Sequence, residues 1–258
     1  LDTQVTGAPV ETRPVLLAAS GRGRVGKTEM LAVVAQLLAE DAGFEVEVWD
    51  CDPAREVGSL SGRFKGAKRP RSGDLEDRRI FLEEHGRRLM EAAVDGRPFH
   101  AVLDVGGEDL LLPLMDAEVG FGEFLSRAGV SFVVAHVVGT DDADLDYLRR
   151  VEKLGLIRAT RGAIVRNEGM LRTTERRDAA FQRVNDDPVV RAFTSKARGG
   201  RLLSMPALAP DVMQDVKASG QTFREYATDP KRCWDFRAVR VAHWLAGCEE
   251  MRRAMLGP

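Results

Sequence analysis

The sequence predicts an α/β fold: a doubly wound, mostly parallel sheet with helices on both faces. Two observations lead there. Short apolar runs that read as buried strands alternate along the chain with segments whose apolar residues recur at helical spacing. The first run, Pro14–Ala19, passes through a Gly-rich turn straight into the first helical segment. Parallel strands need crossovers, usually helical, and those helices cover both faces of the sheet.

Each element has its own reason. Pro14–Ala19 is an apolar run that ends at the glycines, which reads as a buried strand. From Thr28 to about Asp41, Leu31, Val34, Ala35 and Leu38 share a helical face, and Gly43 stops the helix. Phe44–Asp50 alternates as a strand that Asp52-Pro53 ends. Residues 58–74 are rich in Gly, Arg and Lys without an apolar period and read as a loop. A helix is expected over about 75–94, a strand at Phe99–Asp104, a turn at Gly106-Gly107 and a helix over 116–128. Val130–Val138 is the longest apolar run and the clearest strand. Asp141–Leu154 reads as a helix with acidic residues suited to its first turn. Gly162–Arg166 is a strand, 171–200 is polar, Arg-rich and helical with loops, and Arg201–Pro206 is the last strand. Helices at about 210–219 and 235–256 close the chain. The expected organisation is a polar tail over residues 1–13 and one domain over 14–258.

Composition sets bounds. With 258 residues, 44% hydrophobic and 30% charged, the chain can build a sizeable core, which excludes disorder as its main state. Its apolar runs fall short of the roughly 20 residues that span a bilayer. A net charge of −2 favours no particular partner. Seven lysines against 31 arginines mean that an anion-binding surface here would use planar guanidinium groups. Cys51, Cys233 and Cys248 have no C-x-x-C spacing, so neither a disulfide framework nor a zinc site is expected. No secretory signal is visible, and a cytoplasmic location is the expectation.

Gly21-Arg-Gly-Arg-Val-Gly26-Lys27-Thr28 fits G-x-x-x-x-G-K-S/T and sits between a strand and a helix, the context that gives this pattern meaning. Its glycines let backbone N–H groups wrap a phosphate, and the helix N-terminus adds partial positive charge. Lys27 would reach the β- and γ-phosphates and the Thr28 hydroxyl would bind magnesium. The expected fold is thus the P-loop NTPase form of the α/β class.

Two acidic positions stand where that chemistry needs them. Phe99–Asp104 is an apolar strand ending in a carboxylate, so Asp104 would hold the magnesium directly or through a water. In Asp50-Cys51-Asp52, alternation puts both carboxylates on one side and Cys51 on the other. The plainer reading of these aspartates is as strand-end or helix-capping groups.

These motifs together resemble the ParA/MinD superfamily of ATPases. Ser20 to Thr28 is similar to its deviant Walker A loop, K-G-G-x-G-K-S/T. Val48-Trp-Asp50-Cys-Asp52-Pro53 resembles its D-x-D-P motif, and Leu103-Asp104-Val-Gly-Gly107 its D-x-x-G segment. Val165-Arg-Asn167 falls where the family often places an adenine-reading Asn, and Met205-Pro206 followed by Asp211–Gly220 resembles its late strand, proline and helix. The resemblance implies a slow, magnesium-dependent ATPase binding ATP or ADP and forming an ATP-dependent homodimer. Asp52 would orient the attacking water and Asp50 would support the magnesium shell. Gly21, Gly23, Arg24, Val25, Gly26, Lys27, Thr28, Glu29, Asn167 and Pro206 would surround the nucleotide.

The departures matter. Arg22 aligns with the family's signature lysine, which reaches across the dimer, and Arg24 with its second glycine. Arg22 is then either a working arginine finger or a sign that the cross-dimer contact is absent. Glu29 stands where Thr or Ser is common; it adds a carboxylate near magnesium or simply favours the helix N-terminus.

For partners, the resemblance implies non-specific DNA and a protein that stimulates the ATPase, in plasmid or chromosome partition, mobilisation or cargo positioning. Three basic stretches are candidates for DNA: Arg63, Lys65, Lys68, Arg69 and Arg71; Arg172, Arg176, Arg177 and Arg183; and Arg191, Lys196, Arg198 and Arg201. The plainer reading is solvated faces balanced by nearby acids. A MinD-like membrane role would need an amphipathic C-terminal helix. Phe236, Val241, Trp244, Leu245, Cys248, Met251 and Met255 do form one stripe, but such stripes usually face a core. His85, His100, His136 and His243 show no ligand spacing, and His100 and His136 read as core. Two further alternatives stay open: a small-molecule P-loop enzyme of kinase or ligase type, and a weakly hydrolysing ATP-binding scaffold.

Overall fold

The first strand, β1 (Val15–Ser20), is buried along its length because its apolar side chains alternate onto two covered faces. Leu17 and Ala19 join one core, Leu16 and Ala18 the other. The computed structural model describes residues 13–40, 44–53, 59–107, 109–155, 161–171 and 176–257. In it five further strands flank the first: β2 (Glu45–Asp50), β3 (Phe99–Asp104), β4 (Ser131–Val138), β5 (Arg161–Asn167) and β6 (Arg201–Met205). Their order is β2-β3-β1-β4-β5-β6 and every pairing is parallel, so the sheet goes beyond the mostly parallel expectation. The chain leaves β1 towards one side of the sheet and leaves β3 towards the other. The crevice that opens at such a switch point is where open α/β sheets take their ligands.

Helices α1 (Lys27–Glu40), α10 (Pro210–Ser219), α11 (Phe223–Thr228) and α12 (Phe236–Leu256) cover the face that carries Leu17 and Ala19. The other face is covered by α3 (Leu75–Val94), α4 (Leu111–Val119), α5 (Phe121–Arg127) and α6 (Asp142–Lys153); the short α7 (Arg177–Ala180), none of whose residues is buried, leads into α8 (Gln182–Asp186) and α9 (Pro188–Thr194), which pack there too. A 3-10 turn at Glu168–Met170 follows β5 and another, Pro230–Arg232, precedes α12.

The stripe of α12 belongs to the core, as its spacing allowed. Val241, Trp244, Leu245, Cys248, Met251 and Met255 are buried, each large apolar side chain being worth about 1.5–3 kcal/mol on full burial. Trp244 Nε1 also donates to the carbonyl of Pro206 at 2.8 Å. Phe236 alone departs from the stripe, 82% exposed. Among the described residues no helix is long and apolar enough to cross a membrane.

Three expectations change. The segment read as a loop over 58–74 contains α2 (Leu60–Arg63) and a strip at Lys68 that pairs with the free edge of β2. There Lys68 N donates to Val48 O at 2.8 Å and Asp50 N to Lys68 O at 2.9 Å. The helix expected over 116–128 is two helices starting at Leu111, separated where Gly120 takes φ 60°. Helix α11 was not read, although Thr222 and Glu225 close a capping box at its start. Most of the tail, Asp41, Gly43 and Arg172 lie outside the described residues.

Candidate nucleotide-binding site

The turn between β1 and α1 lies at the switch point and is shaped by close backbone approach. A Cβ on Gly26, whose φ is +91°, would lie 2.2 Å from Nδ2 of Asn167, so only glycine fits. Asn167, at the end of β5, uses this proximity. Its Nδ2 donates to the carbonyl of Val25 at 2.8 Å and its Oδ1 accepts from Gly169 N at 2.9 Å. Arg24 has φ 66°, the only positive value at a non-glycine position among the described residues. For an L residue that conformation costs about 1–2 kcal/mol. The turn therefore keeps the shape of a glycine-built loop at the position where the motif carries glycine.

Lys27 is buried, and its Nζ donates to the carbonyl of Arg22 at 2.8 Å, spanning its own loop. Thr28 Oγ1 donates to Oδ2 of Asp104 at 2.7 Å, and Asp104 Oδ1 accepts from Gly106 N at 3.0 Å. The hydroxyl and carboxylate expected around magnesium thus meet, from α1 and β3. They are hard oxygen donors, the kind magnesium takes alongside phosphate oxygens, so these residues fit the ion. A Cβ on Gly107 would come within 2.6 Å of Gly23 Cα, so the chain after β3 lies backbone to backbone on the phosphate loop.

Asp50 is paired in register with Asp104 and fully buried. Its carboxylate accepts from Asp52 N at 3.3 Å and Ser61 N at 3.0 Å, with Arg69 Nε at 3.9 Å. Its carboxylate thus ties the start of α2 and the residue after Cys51 to the end of β2. Asp52 reaches over the next strand's loop, its Oδ1 2.8 Å from where a Cβ on Gly106 would stand.

Arg22 faces its own chain, with Nη1 3.5 Å from Asp144 Oδ1 and 3.9 Å from Asp141 Oδ2. Burial raises the Asp144 pKa, against the backbone bond from Gly139 and the charge of Arg22. Ser20 and Tyr147 hydroxyls lie 3.0 Å apart, tying the end of β1 to α6. Glu29 is engaged by two cations: its Oε1 accepts from Arg63 at 2.8 Å and Lys217 at 3.0 Å. Burial raises its pKa, but the two cations outweigh that and lower it overall. Glu29 thus forms an ion bridge joining α1, α2 and α10. Pro206 follows β6 and is held by Trp244.

Residues the sequence did not single out lie around the site: Ser61, Arg78, Asp109, Asp144 and Tyr147; Arg69, a candidate for DNA, stands beside Ser61 and Asp50. Arg78 carried a signal, since it shares a helical stripe with Phe81, Leu82 and Leu89. Asp144 stood in an acidic run with nothing to show which member would be buried. The basic stretches are paired in part: Arg63 with Glu29, Arg69 with Asp50, Arg177 with Glu168, Arg183 with Asp142, Arg191 with Asp186 and Arg198 with Glu152. His100 and His136 are buried in the sheet, as expected. The three cysteines are free, and burial pushes the Cys51 thiol up to about 12.

Fold and site together define a P-loop NTPase fold of the ParA/MinD type. The structure of a ParA family ATPase from Chlorobium tepidum TLS superposes with a TM-score of 0.51 at 12% identity, covering 91% of this chain and 99% of that one. Apo McdA of Cyanthece gives 0.49 at 13% identity, over 92% and 98% of the two chains. In sequence, an arsenical pump-driving ATPase of Acidiphilium multivorum is 31% identical over 159 residues, 54% of this chain. The chain spans 24% of that protein's length. No family model matches.

Proposed function

We propose that the chain is a magnesium-dependent ATPase of the ParA/MinD superfamily whose bound nucleotide controls the association of two copies. One observation carries this reading: Thr28 and Asp104 meet at 2.7 Å beneath a loop that Lys27 spans, at the switch point of the sheet. Backbone N–H groups of Gly21, Gly23, Arg24, Val25 and Gly26 would cradle the phosphates, aided by the N-terminus of α1. Lys27 would exchange the Arg22 carbonyl for β- and γ-phosphate oxygens. Thr28 and Asp104 would hold magnesium, which neutralises charge on the phosphates. Asp52 would orient the attacking water, its backbone kept in place by Asp50. Asn167 keeps one amide hydrogen beyond its bond to Val25 O for the adenine, with Pro206 beside it at the end of β6.

Arg22 would cross to the partner's phosphates once it leaves Asp144. DNA is the cargo the resemblance implies, but the ion pairs of Arg177, Arg183, Arg191 and Arg198 weaken the case for those stretches. Binding to DNA would appear as a steep salt dependence.

Light scattering with magnesium and a non-hydrolysable ATP analogue, against ADP, tests the switch. The expected result is a monomer that dimerises only with the ATP analogue, and fails to do so as Arg22→Ala. A mass that ignores the nucleotide would turn the reading towards a small-molecule enzyme or an inert scaffold.

A further inference from the structure

Arg78 is the one charged side chain among the buried residues of α3. Carrying a guanidinium to that depth is costly unless its hydrogen bonds are specific, so its contacts show what it is for. Its Nη2 donates to the carbonyl of Val105 at 3.0 Å and lies 2.8 Å from Oδ2 of Asp109. The other oxygen of Asp109 accepts from Leu111 N at 2.7 Å, where α4 opens. Among the described residues Nε of Arg78 is buried without a hydrogen-bond partner, so the side chain is set by its Val105 and Asp109 contacts.

The carbonyl of Val105 and the N–H of Gly106 belong to one planar peptide unit. Arg78 grips the oxygen end of that plane, and Oδ1 of Asp104 accepts from its nitrogen end at 3.0 Å. Rotating the plane would break both bonds together, and a charged donor on the oxygen strengthens the bond at the nitrogen. The same plane leads into Gly106, against which Asp52 rests, and Gly107, which lies on Gly23. From the opposite side, the Tyr147 hydroxyl reaches the Asp109 carbonyl at 3.5 Å.

We infer that Arg78 is a positioning residue: through the Val105–Gly106 peptide it orients the carboxylate of Asp104 towards Thr28 and the ion the two would share. The inference rests on the nucleotide reading of Lys27, Thr28 and Asp104, and it adds a residue from a helix that touches neither phosphate nor metal.

The test uses the full chain as wild type, Arg78→Lys, and the double variant Arg78→Met with Asp109→Asn, which strands no buried charge. Two readouts are taken: amide exchange at Gly106, and the magnesium concentration that half-saturates binding of a fluorescent ATP analogue. Arg78→Lys keeps a charge beside Asp109 but not the geometry of the guanidinium. It is expected to exchange Gly106 faster while β4 is unchanged, and to raise the magnesium requirement about tenfold, the scale for an outer-shell partner. The double variant is expected to match or exceed both changes. A lower thermal midpoint with unchanged Gly106 exchange and magnesium requirement would reduce Arg78 to a packing role and overturn the inference. A wild type that binds no nucleotide would defeat the nucleotide reading instead, and the positioning role with it, even with Gly106 exchange accelerated in the variants.

Discussion

Arg22 and Asp144 are joined within one chain, Nη1 of the arginine standing 3.5 Å from Oδ1 of a carboxylate that is almost wholly buried. The side chain that a dimer would need across its interface is held at home by α6. Asp144 also accepts from Gly139 N at 2.9 Å, so it is anchored whether or not Arg22 stays. Under the proposed dimer switch the pair would be a counterweight to association, because sending Arg22 outward would leave a buried carboxylate without its cation.

Asp144→Asn should lighten that counterweight while keeping an acceptor for Gly139. The concentration of ATP analogue that half-converts the protein to dimer is expected to fall about fivefold or more, the lower range of coupling between sites. Arg22→Ala should abolish the dimer with either residue at 144. Sedimentation velocity across a nucleotide series reads both, and superimposable wild-type and Asp144→Asn curves would remove the counterweight.

Thr28→Ala and Asp104→Asn each break the 2.7 Å contact at the centre of the site. Each is expected to weaken magnesium-dependent nucleotide binding about ten- to a hundredfold and to leave metal-free binding close to wild type. Calorimetric titration with and without magnesium makes the comparison, and equal losses in both conditions would mean that the pair does not serve the ion.

Glu29 predicts a pH dependence of stability. Its folded pKa lies below the ordinary 4.5, because Arg63 and Lys217 outweigh the effect of burial. The stability it adds is therefore fully present above pH 4.5 and lost as the pH falls through the lower, folded value. Glu29→Gln should cost about 1 kcal/mol at neutral pH, with the gap to wild type closing in acid. Urea midpoints at descending pH measure it, and a gap that widens in acid would contradict the assignment.

His136 predicts an acid sensitivity over a different range. Burial lowers its pKa from 6.5 to about 4, and among the described residues neither ring nitrogen has a hydrogen-bond partner. The unfolded chain takes up a proton that the folded one refuses. Stability is thus full above pH 6.5 and falls as the pH drops towards about 4, by at most about 1.4 kcal/mol per pH unit. His136→Leu should be at least as stable as wild type at pH 7 and should flatten this part of the profile. Thermal midpoints between those limits check it.

Much of this was legible because the signals were local. The phosphate loop, Asp50, Asp52 and Asp104 lie at strand ends, where a short motif also fixes position. Helix α3, β3 and α10 fall where the apolar period and the flanking breakers place them. What escaped depends on distance through space. Glu29 meets Arg63 and Lys217, the latter 188 residues away along the chain. Arg22 meets Asp144 across 122 residues. A helical period shows that Arg78 shares a stripe with leucines, but not that the carbonyl of Val105 waits at its end. Helix α11 went unread for another reason: it has only two buried apolar anchors, Phe223 and Tyr226, too few to set a period.

The strip at Lys68 has a consequence for the border of the sheet. An outermost strand exposes a row of donors and acceptors on which another chain's strand can template, the usual route to aggregation. Here Lys68 occupies that row beside Val48 and Asp50, in parallel and with a charged side chain. Strand addition at this border is blocked from inside the molecule.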